Sequence, residues 1–425
     1  MSKYKTISEF ALLLNGYAFK SKQYADEGTR IIRIANVQEG YITDENPCFY
    51  PMASMQGLEK YTLCENDLLI SLTGNVGRVG ILPKSMLPAA LNQRVSCIRL
   101  KNLEVDTKYL FYYLSRKEFV KDCVNASRGV AQLNLSTKWL EQYPVPVLNI
   151  KEQHRIVTRI EELFSELDKG VETLQTIKQQ LAVYRQAVLK EAFEGKWTYS
   201  QRSSLPQNLH FKKLQNDENS KFVTHTPEWK YVYLSELGDL SRGKSKHRPR
   251  NDEKLFKNGK YPFFQTGDVK SANKILIDCE KKYGEFGLAQ SKLWPAGTLC
   301  ITIAANIAET CFLGVDGCFP DSIVGFTPFD NIVDKEYIRY FIESSKKRLW
   351  AFAPATAQKN INLTTLENLI IPYCNIDEQK YVVQEIESRL SVCDSIEQTV
   401  DTALSQAEAM RQSILKKAFE GGFSE

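Results

Sequence analysis

Histidine is scarce in this 425-residue chain, at four, and the ten cysteines, scattered from Cys48 to Cys393, contain no C-x-x-C pair. Zinc-ligand spacing is absent, so no metal site is expected, and reduced thiols are the default reading. Long apolar runs are missing too: none approaches the roughly 20 residues that a membrane-crossing helix needs. The first residues lack the basic-then-apolar order of a secretion signal, and the expected location is the cytoplasm, without a membrane. No G-x-x-x-x-G-K-[ST] loop occurs, which leaves ATP hydrolysis without a phosphate cradle. The nearest glycine cluster, Gly74, Gly77 and Gly80, lacks the lysine and reads as a turn.

What is present is an ordinary soluble composition, 43% hydrophobic and 25% charged. The length exceeds the roughly 250 to 300 residues at which one core stops growing, so two or more domains are expected. Net charge is only +4, but it is unevenly spread. Residues 151–195 carry 7 Lys/Arg against 8 Asp/Glu and residues 377–421 carry 5 against 9, leaving +9 on the rest of the chain. An anionic partner would be met outside those two segments.

Those segments belong to an internal repeat. PVLNIKEQHR at 146–155 returns as PYCNIDEQKY at 372–381, and LKEAFEG at 189–195 returns as LKKAFEG at 415–421, at a constant offset of 226. The match reaches back through Gln132/Gln358, Asn134/Asn360, Leu140/Leu366 and Glu141/Glu367, and Ile7–Phe10 matches Leu234–Leu237 at an offset of 227. Within the first copy Ile156, Leu163, Ile177 and Tyr184 form one row of a heptad seam, and Ile160, Leu167, Leu174, Leu181 and Val188 form the other. The second copy has Val382, Ile396, Ala403 and Met410 in one row and Ile386, Cys393, Val400, Ala407 and Ile414 in the other. Gly170 and Arg389 interrupt the pattern. A helix of about 45 residues spans roughly 65 Å, too long for one neighbouring domain to bury. Its simplest partner is the other copy, run antiparallel; packing of each helix on its own domain is the alternative.

The expected fold class is α/β: two mixed α/β domains separated by two long helices that form an antiparallel coiled coil with a pseudo-two-fold axis. The divisions are 1–150, a helix at 151–197, a polar linker at 198–226, a second domain at 227–375 and a second helix at 376–425. Strands are expected at 30–37, 67–72, 94–100, 298–304 and 322–327, and helices at 107–116 and 335–348.

Several stretches carry a family resemblance. GYAFKS at 16–21, DLLISLTGNVGRVG at 67–80, Asn92-Gln93, the Q-x-N…P-x-P…EQ series from Gln132 to Gln153, and TPEW at 226–229 together resemble the HsdS-type specificity subunits of type I restriction-modification enzymes. The second domain departs from the pattern: the glycine turn becomes AANIAETCFLG and the NQ pair becomes Asp321-Ser322. The resemblance implies two target-recognition domains reading a bipartite, asymmetric site in double-stranded DNA, with the helix pair fixing the gap. It also implies two methyltransferase subunits that use S-adenosylmethionine and two restriction subunits that use ATP and Mg, with no cofactor on this chain.

Catalytic residues are not assigned. Asn46-Pro47-Cys48-Phe49 lacks the second proline of the adenine-methyltransferase motif, and no glycine-rich methyl-donor loop precedes it. The candidates for DNA contact are basic or amide residues. RGKSKHRPR at 242–250 supplies Arg242, Lys244, Lys246, Arg248 and Arg250 in a loop, for phosphate or guanine. The first domain offers Lys20 and Lys22 in an equivalent loop, Asn75 and Arg78 in the glycine turn, and Asn36, Asn92, Gln93 and Arg94, with Gln265 and Thr266 in the second domain. Gln132, Asn134, Gln358 and Asn360 repeat between domains, which favours a shared task such as phosphate contact or loop fixing. Two other readings stay open: a coiled-coil scaffold that binds proteins alone, and a self-sufficient adenine methyltransferase.

Overall fold

A computed structural model of the chain describes residues 3–129, 132–198, 229–351 and 360–422. It divides into two compact units, Met1–Thr176 with Val400–Glu425, and Ile177–Thr399. No described helix is long and apolar enough to cross a membrane.

The first unit is built on a four-stranded antiparallel sheet in the order Ala11–Asn15, Val95–Leu100, Leu68–Ser71, Val79–Ile81. All four residues of Leu68–Ser71 are buried, as a strand covered on both faces requires. A second four-stranded sheet carries Thr29–Ile32 parallel to Ala89–Leu91. The strand expected over 30–37 stops at Ile32, because Ile34–Asn36 turns into a 3-10 helix. Helix Thr107–Leu114 starts where the Asp106 carboxylate accepts the Tyr109 N–H at 2.9 Å.

The second unit repeats this plan. Its five-stranded sheet runs Gly238–Arg242, Ile323–Pro328, Leu299–Thr302, Thr310–Leu313, Ile275–Leu276, and helix Lys335–Ser344 is capped by Asp334. In each unit the first strand pairs with the strand that leads into a long helix: Lys3–Thr6 with Pro144–Val147, and Lys230–Tyr233 with Ile370–Tyr373.

The EQ element of the repeat turns out to be a clamp. Gln153 is fully buried; its Oε1 accepts the Asp106 N–H at 2.8 Å while its Nε2 donates to the carbonyls of Glu104 and Leu148. Gln379 does the same with the Asp334 N–H and the carbonyls of Ile332 and Cys374. Beside each clamp a buried tyrosine hydroxyl, Tyr109 or Tyr337, donates to the carbonyl of Pro146 or Pro372. Burial pushes both hydroxyls well above the ordinary tyrosine range, so they remain neutral donors.

The long helices are Ile150–Phe193 and Ile376–Phe419, 44 residues each. In the first unit Asp168 pairs with Arg411, and Leu415 and Ala418 share a core with Ile156, Val157 and Ile160. In the second, Arg185 pairs with Asp394 at 2.6 Å and Glu397 at 3.0 Å, and the Arg389 guanidinium lies 4.1 Å over the Trp197 ring. Numbers fall on one helix as they rise on the other, so the helices run antiparallel within each unit. The two ion pairs are one pair used twice, since Asp168/Asp394 and Arg185/Arg411 both obey the 226-residue offset.

One seam row differs from expectation. Tyr184 is 48% exposed, Ile396 40% and Met410 54%, and the following residues Arg185, Glu397 and Arg411 are the more covered ones. A straight helix drifts about 20° per heptad against a strict seven-residue repeat, and an arginine stem covers apolar surface while its head pairs with a carboxylate. The other row holds, with Leu181, Val188, Ile386, Cys393, Val400 and Ala407 buried.

Each helix begins in the core of the domain that precedes it and ends in the core of the other. Leu189, Ala192 and Phe193 lie in the second unit's core with Tyr337 and Phe341, and Leu415 and Ala418 lie in the first unit's core with Tyr109 and Tyr113. This is what the repeated LKxAFEG block does.

Candidate nucleic-acid interface

In the first domain one end of the main sheet gathers four loops. Ala11–Asn15 and Leu68–Ser71 leave the sheet there and Val95–Leu100 enters it, as the pairings Asn15 with Ser96 and Ser71 with Val95 require. Backbone bonds tie the loops together. Gln93 N–H donates to Tyr17 O at 3.0 Å, Leu72 N–H to Arg94 O at 3.0 Å, and Gly74 N–H to Leu133 O at 2.8 Å. Gly16 sits so close to the 91–92 backbone that a Cβ would lie 2.1 Å from Asn92 O.

The turn at 73–78 depends on positive φ at Gly74 (69°) and Gly77 (83°). Ser71 Oγ closes it, donating to Asn75 O at 2.5 Å and accepting Arg78 N–H at 3.0 Å. In the second domain Ala305 and Ala308 take the same left-handed conformation, each at φ 63°. Thr302 Oγ1 donates to Asn306 O and accepts Glu309 N–H at 3.0 Å. The AANIAET stretch, expected to be a departure, is therefore the same turn made on alanine. The NQ equivalence also shifts. Leu72 N–H meets Arg94 O as Ile303 N–H meets Ser322 O, and Val95 N–H meets Asn92 O as Ile323 N–H meets Pro320 O. Asn92-Gln93 thus corresponds to Pro320-Asp321, one residue earlier than Asp321-Ser322. Letter matching could not place this register, because neither residue of the pair is retained.

Most of the sequence candidates fall on these loops. Asn75, Gln93, Arg94, Gln132 and Asn134 are exposed, and Asn92 is half-buried with its Oδ1 accepting Arg94 N–H at 3.4 Å. Thr73 Oγ1 donates to Asn134 Oδ1 at 3.1 Å, and Asn134 Nδ2 donates to Gln132 O at 3.1 Å, so Asn134 fixes its loop. Arg78 is held by Gln38 Oε1 at 3.3 Å and lies 3.7 Å from Glu39. Asn360 bridges Ala304 as Asn134 bridges Thr73. Gln358 lies outside the described residues.

The basic loop follows strand Gly238–Arg242, in the place of 16–23 in the first domain. Arg242, Lys244, Lys246, Lys20 and Lys22 are exposed, and like Arg94 their side chains make no ion pair or hydrogen bond among the described residues. Arg248 instead folds back, its Nη1 donating to the carbonyls of Ser245 at 2.7 Å and His247 at 2.9 Å. Arg250 pairs with Asp321 at 2.8 Å. His247 Nε2 lies 2.8 Å from Asp252 Oδ2, and the Lys254 N–H together with that imidazole holds the Asp252 carboxyl below its ordinary range.

Asn36 is a correction. It is 2% exposed, its Oδ1 accepts Arg33 N–H at 2.9 Å, and its Nδ2 donates to Thr43 O at 3.0 Å. The amide is buried and bonded within the loop at both its oxygen and its nitrogen, and that burial keeps it from DNA. Asp268 does the equivalent task for Gln265 N–H at 2.7 Å, which leaves Gln265 as the cap of helix Thr266–Ser271 and Thr266 as its first residue, both half-buried. Sequence reading missed Asn306; the signal was the shared spacing of Ser71 to Asn75 and Thr302 to Asn306.

Two α/β domains that carry the same polar loops at one sheet end, each leading into a 44-residue helix, define a tandem recognition protein on helical spacers. The chain belongs to the type I restriction modification DNA specificity domain family, whose model matches residues 2–181 and 227–406. The type I restriction enzyme EcoBI specificity subunit of Escherichia coli is 24% identical over 98% of this chain and 85% of its own length. The EcoAI specificity subunit of Escherichia coli is 33% identical over 39% of this chain and 29% of its own. Two solved structures share the fold. A chain from a structure of complex assembly and conformational transition in the type I R-M system aligns over 98% of this chain and 97% of its own, at TM-score 0.69 and 16% identity. The HsdS subunit from Thermoanaerobacter tengcongensis aligns over 99% and 96%, at TM-score 0.53 and 15% identity.

Proposed function

We propose that the chain is the non-catalytic DNA-reading subunit of a cytoplasmic type I restriction-modification enzyme, each domain reading one half of a bipartite, asymmetric target. The long helices set the number of base pairs between the halves. Two methyltransferase subunits, carrying S-adenosylmethionine, would methylate adenine after flipping it from the stack; two restriction subunits would supply ATP- and Mg-dependent cleavage. One observation carries the reading: the same loops occupy the same sheet end in both domains while their polar residues differ, as with Arg78 against Glu309 and Gln93 against Asp321. A constant frame with changed side chains is what reading two different half-sites needs. Sequencing of methylated adenines in cells with and without the gene tests it. A two-part motif should vanish with the gene; an unchanged methylation pattern sinks the reading.

A further inference from the structure

An asparagine stands in the sheet-end turn of both domains, Asn75 in the first and Asn306 in the second. Asparagine in a turn usually has one of two local reasons: it tolerates positive φ, or its side chain bonds nearby backbone. Neither applies here. The left-handed positions are Gly74 and Gly77 in one domain and Ala305 and Ala308 in the other. Closure comes from the Ser71 and Thr302 hydroxyls, which bond the asparagine carbonyls. The side-chain amides of Asn75 and Asn306 make no hydrogen bond to any described residue.

Around these two residues the loops have diverged. Arg78 becomes Glu309, Asn92 becomes Pro320, Gln93 becomes Asp321 and Arg94 becomes Ser322. Even the glycines are gone from the second turn, whose alanines hold a conformation that glycine takes freely and alanine resists. What survives that resistance is a backbone that presents an asparagine from one fixed place.

Groups that tell one half-site from the other must differ between the two domains, whereas phosphate is the same in every half-site. The geometry points to Asn75 and Asn306 as a matched pair of phosphate contacts, each donating a side-chain Nδ2–H to a DNA backbone oxygen. They set the register of each domain on the duplex without regard to sequence. This rests on the chain being a DNA specificity subunit, and adds to it a division of labour: one invariant anchor per domain, with base reading left to the diverged loops.

The test uses the full chain assembled with its methyltransferase subunits. Binding is titrated with the target duplex, with the same duplex carrying single base-pair changes, and with an unrelated duplex. Asn75→Ala and Asn306→Ala should each weaken binding to target and altered duplexes by one common factor, about three- to tenfold, as for one neutral hydrogen bond. The dependence of log affinity on log salt should keep its slope, because an amide carries no charge. Asn75→Asp and Asn306→Asp keep the residue's shape and should bind more weakly than the alanine variants, since a carboxylate repels phosphate. Unchanged affinity in both alanine variants overturns the inference, as does a loss of discrimination at a single base pair, which marks a base contact. Failure of the underlying reading looks different: the unsubstituted complex would then bind target and unrelated duplex alike.

Discussion

Phe193, the last residue of the first long helix, sets its ring edge-on against Tyr337 of the second domain with centroids 5.1 Å apart. Phe419 makes the same contact with Tyr109 of the first domain at 5.2 Å. Each aromatic fills the domain that its own helix does not start from. Phe193→Ala should cost about 3–5 kcal/mol, read from denaturant midpoints. Hydrogen exchange should place the loss in helix Lys335–Ser344, and for Phe419→Ala in Thr107–Leu114. Loss of protection confined to the long helices would count against this docking.

The glutamine clamps make a pH-dependent prediction. Gln379→Glu keeps an acceptor for Asp334 N–H but turns a carboxylate toward the carbonyls of Ile332 and Cys374. Burial and those oxygens raise the folded-state pKa of the new acid above its unfolded value. Its stability deficit should therefore be smallest at low pH and grow as pH rises through the unfolded and then the folded pKa. Gln379→Leu should be destabilised by about 1–3 kcal/mol for the stranded backbone groups, with no such pH trend. Parallel pH profiles for the two variants would refute the clamp.

Strain in the second domain's turn can be relieved. Ala305→Gly, at an exposed position, should stabilise the protein by about 0.5–1 kcal/mol, the left-handed penalty less the extra chain entropy of glycine, while Ala308→Gly should gain less because it also removes a methyl buried in the second unit's core. In the first domain Gly77→Ala should cost more than Gly74→Ala, because a Cβ at Gly77 would lie 3.0 Å from the Cys123 side chain while Gly74 has only Gln132 Nε2 at 3.9 Å. Calorimetric midpoints check both, and a lower midpoint for Ala305→Gly would contradict the assignment.

Charge and loop order can be separated in the basic loop. Lys246→Ala should reduce the slope of log affinity against log salt by about one. Arg248→Lys keeps the charge but loses the bonds to Ser245 and His247 carbonyls, so affinity should fall with the slope unchanged. A slope reduced by about one in Arg248→Ala would mean that Arg248 meets phosphate directly.

Much of this was legible in the amino-acid order because the repeat is written in residues that contact one another. Gln153/Gln379, Pro146/Pro372 and the LKxAFEG blocks all hold a helix to a domain, and their letters survive for that reason. Apolar runs such as DLLISL and TLCITIA marked the central strands Leu68–Ser71 and Leu299–Thr302. What escaped was set by backbone shape rather than by letters. An alanine in a left-handed turn has no signature, so 304–309 was read as a departure. Asn36 looked like any exposed amide until a 3-10 turn buried it. The seam row at Tyr184 lost to Arg185, since apolar periodicity gives no credit to an arginine that pairs across the helices.

The swapped helix ends also dictate an order of birth. As the chain leaves the ribosome, the first domain is made early, yet Leu415 of its core arrives 265 residues after residue 150, with Ala418 just behind it. Until then Tyr109 and Tyr113 lack the Phe419 ring that packs on them. A chain interrupted short of residue 415 would leave Tyr109 and Tyr113 without that cover, an exposed apolar surface of the kind that chaperones and proteases act on.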